Sequence, residues 1–314
     1  MGRPRLAATA LPLLLPLLLA CEAPAPLVIG GPGSEPGRFV RPRGIAARGG
    51  RVAVLDTSGR LQRFAADGAL ERSWPVMPPG SVRGFPLGLL LRPDGGTLVV
   101  HTHEAALVSY GPDGKETSRR GNGGVRDGEF CMPQRAVEWE GEVFVSEFGY
   151  EPCRRVQVFA PDGRFLRRLG GPGTEAVFQR PMGIAVDAAG VLWVADAGNR
   201  LFRLDPRTGR LLSTVGGEGD GPGRFRWPTG LAALPGGGVV VCEAGNHRLQ
   251  RLDAEGRCLG TFGANGSGPG EFRGPYDLAL DPPWLFVADT ENHRVQRFLL
   301  DRIPWKAPAA ESAR

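Results

Sequence analysis

A proline returns through this chain at a nearly constant interval. It stands at Pro42, Pro86, Pro133, Pro181, Pro228 and Pro275, at steps of 44, 47, 48, 47 and 47 residues. Self-similarity at such a period constrains the fold before any single motif does. The unit is clearest over residues 178–225, where four short apolar runs (183–186, 191–194, 201–204 and 211–215) are separated by turn residues. Each run has the length of a strand and is too short for a stable helix. The turns at 187–190, 196–199 and 205–209 carry Asp, Asn and Gly, which tolerate a left-handed backbone or bond their own main chain. Four strands joined by three tight turns form one antiparallel meander. Such a sheet cannot bury both faces alone, so copies must pack on it. Six units of roughly 40–50 residues with four strands each predict a six-bladed β-propeller, an all-β fold.

The second strand of most units ends in an acid, and the third opens with an arginine. The pairs are Asp56 with Arg60, Glu147 with Arg155, Asp196 with Arg200, Glu243 with Arg248, and Asp289 with Arg294. In unit two Thr102 replaces the acid and Ala106 the arginine. The last three units read DAGNRLFRL, EAGNHRLQRL and DTENHRVQRF. These resemble the NHL repeat, whose signature is an acid, an Asn, often a His, an Arg and an amphipathic strand. The resemblance covers residues 27–298 and implies the same six-bladed propeller. The last unit has three strands (278–280, 285–288, 294–298) and then a short tail. Residues 27–39 match the ends of the other units, so residues 27–30 are expected to supply its outer strand and close the ring.

The 48 glycines and 29 prolines recur in phase with the strands and are turn chemistry. Residues 1–20 have the form of a secretory leader, with Arg3 and Arg5 before an apolar run. The run is short for a membrane span, which needs about 20 apolar residues, and Pro12 and Pro16 interrupt it. Leu18-Leu19-Ala20-Cys21 resembles a bacterial lipobox, a resemblance that implies cleavage before Cys21 and its acylation. The expected divisions are a leader at 1–20, a tether at 21–26, a propeller at 27–303 and a tail at 304–314. The expected location is extracytoplasmic and membrane-anchored. The formal charge is +5, and +3 once Arg3 and Arg5 leave with the leader. That is a weak electrostatic footprint for nucleic acid, and none is expected as a partner.

Four cysteines remain for an oxidising compartment. Cys131 and Cys153 fall in two loops on one face of unit three, and a bridge between them is expected. Cys242 and Cys258 flank a strand, near ~9.5 Å apart, beyond disulfide reach. The glycine-rich segments at 216–223, 263–270, 170–173 and 30–37 lead into strands and not into a helix N-terminus, so they read as turns between blades and not as phosphate loops. The five acids share one face of the ring. They are read as structural partners of the five arginines, with a metal or catalytic cluster as the alternative. His247 and His293 occupy one repeat position. Amidating lyases resemble this fold and hold zinc with three histidines; His101 or His103 would have to supply the third here. Propeller lactonases hold calcium with Glu, Asn and Asp, but Asn199, Asn246 and Asn292 belong to the repeat. No Gly-x-Ser-x-Gly elbow or His-Glu-x-x-His motif is present.

Unit three has the one irregular loop, 147–155, which places Phe148 and Tyr150 in a turn beside Arg154. Departures from a repeat on one face are where binding usually sits. Phe148, Tyr150, Arg154, His247 and His293 are therefore the expected binding surface, for a protein or glycan. The expected function is a monomeric, lipid-anchored binding scaffold without a cofactor. The alternative is a lactonase-like or amidating-lyase-like enzyme with calcium or zinc on the propeller axis.

Overall fold

The computed structural model describes residues 25–77 and 84–308. It contains six four-stranded antiparallel sheets. The first strand, β1 (Leu27–Gly30), is held back for the last sheet. Blade 1 is β2 (Pro42–Arg48), β3 (Arg51–Asp56), β4 (Arg60–Ala65) and β5 (Leu70–Pro75). Blade 2 is β6 (Gly88–Leu91), β7 (Thr97–His101), β8 (Ala106–Tyr110) and β9 (Glu116–Arg120). Blade 3 is β10 (Pro133–Trp139), β11 (Glu142–Phe148), β12 (Arg154–Phe159) and β13 (Phe165–Leu169). Blade 4 is β14 (Pro181–Val186), β15 (Leu192–Asp196), β16 (Arg200–Leu204) and β17 (Leu211–Gly216). Blade 5 is β18 (Pro228–Ala233), β19 (Val239–Glu243), β20 (Arg248–Leu252) and β21 (Cys258–Phe262). Blade 6 is β22 (Pro275–Asp281), β23 (Trp284–Asp289), β24 (Arg294–Leu299) and then β1.

The inner strands touch in the cyclic order β2, β6, β10, β14, β18, β22 and back to β2. The ring is therefore closed, and the fold is a six-bladed β-propeller. Closure uses the N-terminal strand. Leu27 lies opposite Arg297 and Gly30 opposite Arg294, and Ile29 is buried between blades 6 and 1.

The core is six apolar clusters, each between two neighbouring blades. A blade interior is thus covered on both faces, so β15 reads LWVAD and is buried throughout. The outer strand β17 has only one covered face, and its burial alternates. Each fully buried Val, Leu or Phe contributes roughly 1.5–3 kcal/mol.

Antiparallel alternation places the second-to-third-strand loops on the same face as the crossovers from outer strand to next inner strand. We call this the crossover face. Five of the six crossovers, all but the one from blade 1 to blade 2, are pinned by a phenylalanine turned inward. Phe39, Phe130, Phe178, Phe225 and Phe272 are all buried. A glycine faces each ring. Gly263 has φ +96°, and a Cβ there would meet the Phe272 ring. The glycine-rich segments are turns, as their position between strands required.

Candidate functional site: the crossover face and the mouth of the axis

The repeat acids and arginines hold the crossovers in place. Asp289 accepts the Arg273 amide at 2.8 Å and the Arg294 Nε at 2.7 Å. The Arg294 guanidinium then donates to the crossover carbonyls of Ser267, Gly268 and Glu271. Gln296 completes the clamp, donating to the Glu271 carbonyl and accepting from the Gly270 amide. The same geometry recurs with Glu243, Arg248 and Gln250, with Glu147, Arg155 and Gln157, and with Asp56, Arg60 and Gln62. The ion pairs measure 2.7, 3.3 and 3.0 Å.

Blade 4 departs from the expectation. Asp196 accepts the amides of Gln179 and Arg180, but Arg200 forms no ion pair with it. The reason lies in the neighbouring residues. Phe202 stands where blades 1, 3, 5 and 6 have the clamp Gln, and its ring packs edge-on against Phe178 at 4.9 Å. Arg200 lies over Phe202 instead, 5.7 Å from the ring.

His247 and His293 are blade-to-blade latches. The Nδ1 of His247 accepts the Gly274 amide at 3.0 Å, and that of His293 accepts the Arg41 amide at 3.1 Å. Asn199 does the same for the Trp227 amide at 2.9 Å. All three have φ near +54° to +65°. The Nδ1 atoms of both histidines are thus taken up by the main chain of the next blade. Among the described residues no three His, Cys, Asp or Glu side chains converge as metal ligands.

Cys131 and Cys153 are free thiols, so the expected bridge is absent. Both lie against Gly149. Burial is the first cause that pushes the Cys153 thiol up to about 12, so the thiolate that would start oxidation is scarce. Cys242 and Cys258 are also free.

The residues of the irregular loop meet partners that the sequence did not indicate. Phe148 lies under the Arg180 guanidinium at 4.4 Å, and Trp227 lies on Arg180 at 6.0 Å. Arg180 thus joins aromatics from blades 3 and 5. Tyr150 is 67% exposed and Trp227 49% exposed. Arg154 sits 3.6 Å from Glu151 on the same loop. Trp227 has φ +53°, a left-handed backbone that a bulky residue rarely adopts, where blade 6 uses Gly274. Arg41 and Met132 share that backbone at the same place in blades 1 and 3, so it belongs to the repeat.

The axis itself carries a feature that repeat reading missed. The second residue after each proline is Gly44, Gly88, Gly183 and Gly230 in four units, but Arg135 and Asp277 in units three and six. Those blades are diametrically opposed. Their side chains meet across the axis with Nε to Oδ2 at 3.1 Å, and both are buried. The Arg135 guanidinium also donates to the carbonyls of Leu87 (2.6 Å) and Arg43 (2.9 Å), and Asp277 accepts the Ile45 amide. Burial pushes the Asp277 carboxyl up, opposed by Arg135. The glycines let the inner strands approach. A Cβ on Gly44 would lie 2.6 Å from the Leu87 carbonyl oxygen, and one on Gly183 2.6 Å from that of Thr229.

Beside this pair, at the crossover-face mouth of the axis, the Arg43 guanidinium lies over the rings of Tyr276 and Phe85, and Arg41 pairs with Glu291. The two residues before and the two starting at each repeat proline include Arg41, Arg43, Arg180, Arg226 and Arg273, and no acid. Among the described residues only Arg41 of these has a carboxylate partner, Glu291.

The profile of the NHL repeat matches residues 225–252, which span the Phe225 plug, β18, β19 and β20. The chain carries the NHL repeat in a six-bladed propeller. No curated protein matches it. Solved structures similar to this NHL propeller include a streptogramin B lyase at 12% identity and TM-score 0.61, covering 87% of this chain and 97% of that one. Virginiamycin B lyase from Staphylococcus aureus is 14% identical with TM-score 0.55, covering 83% and 95%. A protein of unknown function from Bacteroides thetaiotaomicron is 17% identical with TM-score 0.64, covering 86% and 72%. At these identities the likeness is one of fold.

Proposed function

We propose that the protein is an exported, lipid-anchored scaffold whose crossover face binds a protein partner. The observation that carries this reading is Arg180. It lies between Phe148 and Trp227 with no carboxylate partner among the described residues. An arginine between partly exposed aromatics is the chemistry of an interface hot spot. The nearby Tyr150 and the unpaired Arg226 and Arg273 extend the surface.

Strand direction supports the anchored arrangement. Gly30 of β1 runs into a crossover, so Leu27 lies towards the opposite face. Cys21, the candidate acylation site, lies outside the described residues, with residues 22–26 between it and β1. Five residues reach at most about 18 Å. An acyl group there would hold the opposite face to the membrane and leave the crossover face to the compartment. The alternative reading, a lyase or hydrolase acting at the same face, is supported by the likeness to the two lyases alone.

Affinity capture from solubilised membranes tests the reading with wild type and Arg180→Glu, each shown to melt at the same temperature. A discrete partner should be retained by wild type and lost by the variant. Equal capture by both would contradict it. In the same cells Cys21→Ser should move the protein from the membrane fraction to the soluble one, and continued sedimentation with membranes would remove the anchor.

A further inference from the structure

We infer that the mouth of the axis is a carboxylate subsite centred on Arg43, an inference that rests on the crossover face being the binding surface. The Arg43 guanidinium lies 4.6 Å from the Tyr276 ring and 5.4 Å from that of Phe85. Neither its Nη atoms nor its Nε has a hydrogen-bond or carboxylate partner among the described residues, and the Nε is buried. Burial lowers its pKa, the mark of a charge held where water compensates it poorly.

The neighbouring acids are already spent. Glu291 pairs with Arg41, and Asp277 pairs with Arg135 at 3.1 Å. Three guanidinium groups therefore share two carboxylates, and Arg43 is the one left over. Its own carbonyl accepts from Arg135 at 2.9 Å, so the axial pair fixes the backbone that carries it. An uncompensated cation in a half-buried position is costly, and such groups concentrate at functional sites. The Arg43 guanidinium lies over both rings, and its N–H edge has no protein acceptor among the described residues. That edge matches a carboxylate in a bidentate geometry. The residual charge is single, which one carboxylate balances. The carboxylate belongs to the partner, either on an acidic side chain or at a chain terminus.

Isothermal titration of the intact protein at low salt separates these sources with two probes. Acetyl-hexaglutamate amide offers side-chain carboxylates only, and acetyl-triglycine with a free C-terminus offers a terminal one only. At least one probe should bind, and Arg43→Gln should weaken it at least tenfold. Arg43→Lys should not restore it, because an ammonium lacks the planar fork. Arg207→Gln, exposed on the opposite face, should change it less than threefold. A second measurement needs no variant. Phenylglyoxal should label Arg43 in the wild type, mapped by mass spectrometry, and the bound probe should protect it. Loss of the hexaglutamate signal assigns an acidic side chain, and loss of the triglycine signal a terminus. Failure of both probes to bind overturns the subsite, as does binding that ignores Arg43→Gln and gives no protection. The reading of the whole face then stands or falls separately, on whether Arg180→Glu still abolishes partner capture.

Discussion

Burial holds the His101 imidazole neutral and lowers its pKa to about 4. Glu104, 3.3 Å from Nδ1, and Glu116 oppose that fall, and Arg119 adds to it. The unfolded chain takes its proton near pH 6.5 and the folded chain only near 4. Stability from this group is therefore fully present above pH 6.5 and drains away as the pH falls towards 4. The span corresponds to roughly 3 kcal/mol. Urea unfolding at pH 7.5 and 4.5 should show wild type losing about that much more than His101→Gln; equal losses would contradict the account. The axial pair is the other residue-scale finding. Removing either Arg135 or Asp277 leaves a buried charge unpaired, a change that typically costs about 3–5 kcal/mol. Both residues break a glycine position of the repeat, so the signal stood in the sequence. What the sequence could not say is that units three and six face each other, which follows only from closure into six.

At the level of elements, most of the fold was legible because turn chemistry and apolar runs agreed in every unit. The strand that closes blade 6 was readable from the match of residues 27–39 to other unit ends. It pairs over four residues with β24 and buries Ile29. Deleting residues 27–31 should lower the melting temperature by more than about 10 °C, since it unzips blade 6 from the ring and opens the cluster between blades 6 and 1. An unchanged melting temperature would show that closure does not depend on β1. The failures were as local as the successes. The Asp196–Arg200 pair was expected from the repeat, yet Phe202 replaces the clamp Gln and draws the local packing towards Phe178. A consensus acid and arginine were not sufficient without the third member. The Cys131–Cys153 bridge was expected from loop positions, and the two residues do meet beside Gly149, but as free cysteines.

For the whole molecule, the division of labour is between a rigid ring and one decorated face. The acids, arginines and glutamines of the repeat hold crossovers, and the histidines latch neighbouring blades. Among the described residues whose side chains are free of such duties, Arg43, Arg180, Arg226, Arg273, Trp227 and Tyr150 lie on the crossover face. Phe148 and Tyr150 could be picked out in the sequence because they interrupt a repeat. Arg180 and Trp227 could not, since each sits at an ordinary crossover position and gains meaning only from the neighbour that folding places beside it. The most direct test of the binding face is site-specific photo-cross-linking in the cell envelope. A photoreactive residue would replace Tyr150 or Trp227 on the crossover face, and Arg207 or Glu255 on the opposite face. Discrete adducts from positions 150 and 227, with none from 207 and 255, are the predicted result. Adducts confined to 207 or 255 would contradict the account and place the partner on the other side of the ring.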